Sequence, residues 1–247
     1  MEKKEFGLLG KNISYSFSKK YFEEKFKKLF LNNHTYQFFD IPEIGNVNSV
    51  ITNPNLTGMN VTIPYKQAII PFLDELSDEA SEIGAVNCVS FRNGKKTGFN
   101  TDAFGFEKTL LIHKKDHHKK ALILGDGGAA KAVRYILDKH HIEHQTVSRK
   151  SEINFENLNE ELVKESLLII QTTPVGTFPN VDESVPFPFE AISDRHYVID
   201  LIYNPAETLF LKQCSEKGAT TLNGFYMLEQ QAEKAWEIWN VSSVKNL

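Results

Sequence analysis

The chain reads as an α/β protein made of two successive strand–helix series. Three observations predict that class. The first hundred residues alternate short apolar strands with amphipathic helices. A charged connector, "KKDHHKK" at 114–120, then interrupts the pattern. A second series opens on "ALILGDGGAAKAV", an apolar strand, a glycine turn and an apolar helix. At 247 residues the chain exceeds the usual single core, so two domains of unequal size are expected.

The elements follow in order. "EFGLLG" is a strand ending at Gly10, and "SKKYFEEKFKKLF" is a helix with Tyr21, Phe22, Phe26, Leu29 and Phe30 on one face. "TYQFFDI" and "NLTGMNVTI" are strands, and on the second Asn60 and Thr62 alternate toward one face. Pro64 ends that strand and fixes where Lys66 emerges. "KQAIIPFLDEL" reads as a short helix broken or kinked at Pro71. "AVNCVSFRNGKKTGFN" is a hairpin turning at Asn93-Gly94. The rhythm of strands and helices implies a mostly parallel sheet. Beyond it come the helix "DAFGFEKTLLI", the strands "HQTVSR", "SLLIIQTTP" and "YVIDLIY", and a long aromatic helix, "GFYMLEQQAEKAWEIW".

Composition narrows the function. Hydrophobic content of 41% and charged content of 24% are ordinary for a soluble globular protein. The net charge of −4, with no long basic face, disfavours nucleic-acid binding, which rests on clustered Lys and Arg. Cys88 and Cys214 allow one bridge at most and fit a reducing cytosol. The N-terminal apolar run is too short for a signal peptide, and no segment approaches the roughly 18 apolar residues of a membrane span. A cytoplasmic protein without membrane contact is expected. Six of the eight histidines lie between residues 113 and 144, and His140 and His144 have helical i, i+4 spacing. With no matching Cys or acidic set, no metal is expected.

The glycine turn carries the first chemistry. Gly125, Gly127 and Ala130 satisfy G-x-G-x-x-[G/A] between a strand and a helix. The first glycine makes the tight turn, the second lets backbone approach a pyrophosphate, and the third small residue packs helix on strand. N–H groups at the helix start then hold phosphate. The end of the next strand selects the dinucleotide. An acidic residue there would bond a ribose hydroxyl, whereas this chain has Ser148, Arg149 and Lys150, which suit a 2′-phosphate. NADP(H) is favoured over NAD. Asp126, inside the loop, is a carboxylate near pyrophosphate that either faces solvent or caps the helix.

Polar clusters in the first half carry the second. Ser14, Ser16 and Ser18 precede a helix, where an N-cap is the ordinary use of serine. Asn87, Asn100, Thr101 and Asp102 follow strands, where turns and caps are ordinary. Taken in order, "NVTIPYK", "GAVN", "NTD", "GDGGAAKAV", "SRK", "TTPVG", "DLIY" and "NGFYMLEQQA" resemble the shikimate dehydrogenase family over residues 10 to about 235.

The resemblance implies a substrate-binding catalytic domain, residues 1–102 with 225–247, and an NADP-binding Rossmann domain, residues 103–224, the C-terminal helix returning to the first domain. It implies reduction of 3-dehydroshikimate to shikimate with NADPH, in aromatic amino-acid synthesis, by a monomer or homodimer. Lys66 and Asp102 would be the catalytic pair. Ser16 and Ser18 would hold the substrate carboxylate, and Asn60, Thr62, Asn87, Thr101 and Gln231 its ring hydroxyls, with Tyr203 reaching in from the cofactor side. Gly125, Asp126, Gly127, Gly128 and Ala129 would meet the pyrophosphate, Ser148, Arg149 and Lys150 the 2′-phosphate, and Leu201 and Gly224 the nicotinamide end. The chain departs from the family pattern at Lys19, Phe99, Ala103 and Tyr226.

Chemistry supports the same residues. Hydride arriving at a ketone leaves charge on oxygen, which a lysine ammonium can both stabilise and protonate. A polyhydroxy acid would need the many Ser, Thr and Asn partners once water is expelled. The alternatives are a quinate/shikimate dehydrogenase that uses NAD, and a paralogue that binds a metabolite without turnover. The second would not require both Lys66 and Asp102.

Overall fold

A computed structural model describes residues 2–14 and 16–240. The chain divides into two compact units, Met1–Thr101 with Ala232–Leu247, and Asp102–Gln231.

The first series runs β1 (Lys4–Gly10), α1 (Ser18–Lys28), β2 (His34–Asp40), α2 (Asn48–Ile51), β3 (Leu56–Val61), β4 (Glu75–Leu76), α3 (Asp78–Ile83), β5 (Cys88–Arg92) and β6 (Lys95–Phe99). Its strands form one sheet in the order β2-β1-β3-β5-β6-β4. β2 and β3 flank β1 in parallel, while β5 runs antiparallel to β3 and to β6. The hairpin lies where its turn chemistry puts it, with Asn93 at φ 50° and Gly94 at φ 75°. Alternation along the strands fills both faces. Leu9, Met59 and Val61 face one cluster. Phe6, Leu8 and Tyr36 face another that holds Phe22, Phe26 and Trp239. Gly58 leaves room for the Trp239 indole, whose Nε1 donates to the Val89 carbonyl at 3.0 Å.

Two expectations fail here. α1 stops at Lys28, and neither Leu29 nor Phe30 joins its buried face; Phe30 is 86% exposed. Phe30 takes a left-handed φ of 55°, and the N–H groups of Phe30 and Leu31 return to the carbonyls of Lys27 and Phe26. That double closure is a helix stop usually marked by glycine, here built without one. The stretch around Pro71 is no α-helix: turns lead into a single 3₁₀ turn, Ile70–Phe72, and then β4. A proline cannot donate the amide an α-helix would need at that point.

The second series continues with α4 (Thr101–His113), β7 (Lys120–Leu124), α5 (Gly128–Lys139), β8 (Glu143–Val147), α6 (Glu160–Glu165), β9 (Leu168–Gln171), β10 (Tyr197–Asp200), α7 (Leu209–Glu216), β11 (Thr220–Leu222) and α8 (Phe225–Asn240). The sheet β11-β10-β9-β7-β8 is parallel throughout. β9 and β10 are buried at every position, as expected of parallel strands covered on both faces. Capping residues start the short helices: Asn159 accepts from the Leu162 N–H, and Thr208 from the Leu211 N–H. Among the described residues no helix is long and apolar enough to cross a membrane.

Candidate functional site

Each sheet reverses its winding beside its first strand. β1 has β2 on one flank and β3 on the other, and β7 has β8 and β9. In open α/β sheets ligands sit outside the carboxyl ends of strands at such reversals. In the first unit that edge carries Gly10, the end of β1. In the second it carries the glycine loop.

Topology gathers most of the substrate candidates at the first edge. Because β5 runs opposite to β3, Asn87 enters the sheet beside the exit of β3: Asn60 pairs with Cys88, and the Val61 N–H donates to the Asn87 carbonyl at 2.9 Å. β6 returns Thr101 to the same place. The Thr101 N–H donates to Asn87 Oδ1 at 2.6 Å, and Asn87 Nδ2 donates to Thr101 Oγ1 at 3.0 Å. Asn60 Nδ2 reaches the Asn87 carbonyl at 3.4 Å. Asn87, Asn100, Thr101 and Asp102 are all buried, and buried polar groups are kept only where they are bonded. Asp102 follows Thr101 in the first turn of α4. Lys66 emerges beside the residue that precedes Asn87, since its carbonyl accepts from the Val86 N–H at 2.7 Å. Thr62, one residue past β3, is tied to the Leu9 carbonyl at 2.9 Å.

The serines do not occupy the cap position of α1, although Ser16 Oγ accepts from the N–H of its first residue, Ser18, at 3.4 Å. Phe17 occupies the cap of α1 with no side-chain bond. The Ser16 and Ser18 hydroxyls also approach one another at 3.4 Å. Ser18 also sits against the phenol of Tyr36, whose Oη donates to Asn60 Oδ1 at 2.9 Å. Burial holds that phenol well above its ordinary pKa, so it stays a donor. Sequence reasoning missed Tyr36. Alternation along "TYQFF" points it inward, but its partner lies on β3, beyond β1. Phe99, a departure from the family pattern, packs against the aromatic cluster of the first sheet.

The second unit builds a glycine turn between β7 and α5. Gly125 has φ 114°, and a Cβ there would meet Thr172 Oγ1 at 2.6 Å, so only glycine makes this turn. Gly127 caps α5 without a side chain and faces open space, which leaves the first amides of the helix open to an anion. Gly128 and Ala129 begin the helix. Ser148 is buried against Ser151, Oγ to Oγ 2.7 Å, and accepts from the Lys150 N–H at 3.2 Å. That small turn leaves Arg149 and Lys150 exposed. Gly224 lies so close to the Leu201 carbonyl that no side chain fits, and its N–H donates to the Ile202 carbonyl at 2.9 Å. Leu201 and Gly224 are thereby neighbours. Tyr203 follows on the same loop, and Gln231 lies on α8.

Asp126 does not cap the helix; it stays exposed to solvent, beside a partner. Its Oδ1 pairs with Arg134 Nη1 at 2.8 Å. Sequence reasoning also missed a carboxylate inside the "DLIY" motif. Asp200, fully buried, accepts from Thr208 Oγ1 at 2.7 Å and from the Ile202 N–H at 3.0 Å. It ties the Leu201–Tyr203 loop to the start of α7. Burial pushes its pKa up to about 6 against the pull of those two bonds.

The histidine spacing has no helix beneath it. α5 ends at Lys139, after which His140 pairs with Glu107 and His144 with Asp138. Among the described residues no three His, Cys, Asp or Glu side chains are grouped to hold a metal. Both cysteines are free and buried, and burial raises both thiols, that of Cys214 to about 12.

Known relatives match this chain over nearly its whole length. The family model for the shikimate dehydrogenase substrate binding domain matches residues 8–89. The shikimate dehydrogenase (NADP(+)) of Methanosphaera stadtmanae is 36% identical over 94% of this chain and 90% of its own length. The crystal structure of shikimate dehydrogenase from Aquifex aeolicus is 35% identical, with a TM-score of 0.87, covering 98% of this chain and 94% of that one. That of shikimate 5-dehydrogenase from Thermus thermophilus, in complex with NADP(H) and shikimate, is 30% identical, with a TM-score of 0.84 and coverage of 96% and 93%.

Proposed function

The chain belongs to the shikimate dehydrogenase family, and from that membership we propose that it interconverts 3-dehydroshikimate and shikimate with NADP(H). One observation carries the reading: a single chain holds the Asn60–Asn87–Thr101 network beside Lys66 and, further on, the glycine loop followed by Ser148, Arg149 and Lys150. Residues 1–102 with 225–247 are then the substrate domain and residues 103–224 the cofactor domain. A cytoplasmic setting accords with two free, buried thiols.

The residues divide the work by chemistry. Ser16 and Ser18 hydroxyls donate to the substrate carboxylate. Asn60, Thr62, Asn87, Thr101 and Gln231 replace the water that ring hydroxyls would otherwise bond, and Tyr203 reaches the substrate from the cofactor side. The dinucleotide supplies the hydride. Lys66 stabilises the alkoxide left on the carbonyl oxygen and delivers its proton, with Asp102 orienting the ammonium. Gly125, Gly127, Gly128 and Ala129 offer backbone amides to the pyrophosphate, and Ser148, Arg149 and Lys150 hold the 2′-phosphate. Leu201 and Gly224 line the nicotinamide end.

The test is a spectrophotometric assay of reduced nicotinamide with shikimate or quinate and NADP or NAD. Turnover is expected with shikimate and NADP. Greater turnover with quinate and NAD would replace the reading by its closest rival, and none with any pair would leave a binding protein. Lys66→Ala should lower kcat by about a thousandfold or more, the scale of losing a proton donor together with its charge. Retained turnover in a folded Lys66→Ala protein would remove Lys66 from the role.

A further inference from the structure

Asp126 is the one acidic residue of the phosphate loop, and an unmatched carboxylate there would oppose any bound pyrophosphate. Its partner is Arg134, on the second turn of α5. Side chains on a helix lean toward its N-terminus, which carries this guanidinium back over the loop. The same Nη1 also donates to Thr146 Oγ1 at 3.4 Å, two residues before Ser148. Arg134 therefore stands at the junction of the glycine loop and the segment with Ser148, Arg149 and Lys150. An ion pair whose side chains remain 26% and 49% exposed contributes little to stability.

We propose that Arg134 is a cofactor-positioning residue that acts through Asp126. It cancels the charge of that carboxylate and holds it off the loop, so that the amides of α5 can receive the pyrophosphate. It acts at the glycine loop and does not itself bind the 2′-phosphate, so both dinucleotides depend on it alike. The inference rests on reading the glycine loop as the dinucleotide site.

The measurement is dissociation constants for NADP and for NAD, by calorimetric titration without substrate. It is made on the wild type, Arg134→Ala, Asp126→Ala, the double variant and Arg149→Ala. Arg134→Ala should weaken both dinucleotides alike, by about three- to tenfold at low salt and less at high salt, as for an unscreened like charge near the surface. Asp126→Ala should bind at least as tightly as the wild type, and the double variant should return to within about twofold of it. A loss confined to NADP in Arg134→Ala would mean direct 2′-phosphate contact and overturn the proposal. So would a double variant as weak as Arg134→Ala. Arg149→Ala separates this from the underlying reading: if it loses NADP but not NAD, the site stands however the cycle falls. Wild-type protein that binds neither dinucleotide would overturn both.

Discussion

Tyr36 shows what one buried hydroxyl can decide. Its Oη holds Asn60 by the amide oxygen, which leaves Nδ2 as the end turned to the Asn87 carbonyl and to any ligand beside it. Without that hydroxyl the amide could flip and present the wrong polarity. Tyr36→Phe should raise KM for shikimate about two- to tenfold, the value of one hydrogen bond, while kcat and KM for NADP stay within about twofold. A Michaelis series in each substrate checks this, and an unchanged KM for shikimate would remove Tyr36 from the site. Such a residue is hard to read from sequence because its meaning depends on a strand two places away. Lys66, Asn87 and the glycine loop are legible since each sits in a short motif whose neighbours declare it. Arg134 is not, being one more polar residue on the face of an amphipathic helix.

Elements closed by local chemistry are the readable ones. The β5–β6 hairpin follows from Asn93-Gly94, and the β7–α5 turn from its glycines. The two misread stretches lack such a marker or offer a misleading one. α1 ends in a left-handed phenylalanine where pattern reading waits for glycine, and Pro71 sits inside a 3₁₀ turn where apolar spacing suggests a helix. Long-range packing is equally silent in the sequence. Gly58 looks like a weak point in a strand, yet its bare Cα is what the Trp239 indole rests on. Gly58→Ala should therefore destabilise the protein by about 1–3 kcal/mol through overpacking, instead of the small gain alanine brings to an unobstructed strand. Denaturant midpoints test it, and wild-type stability in Gly58→Ala would mean that α8 yields.

Over the whole molecule, sequence periodicity reveals two α/β series but not how their strands are ordered, since order is set by pairing between distant segments. Nor does any break mark the divisions between the compact units, which fall inside α4 and α8. Stability carries its own signature of burial. Asp200 titrates at about 6 in the folded protein against an ordinary 3.8, so between those pH values the folded state keeps a proton that the unfolded chain has lost. Stability should fall as pH rises through that window and level off above it. The two values differ by about 2 units, equivalent to at most about 3 kcal/mol. Asp200→Asn should abolish this component, so unfolding free energies measured from pH 4 to 8 should converge with or overtake the wild type as pH rises. Parallel pH curves for the two proteins would contradict the assignment.

The two thiols have a consequence of a different kind. Cys88 is sealed in the first unit and Cys214 in the second, each without measurable exposure. A thiol-reactive reagent therefore finds no target until one unit opens, and the cysteine it marks identifies which unit that was. The chain carries a separate built-in reporter of opening for each of its halves.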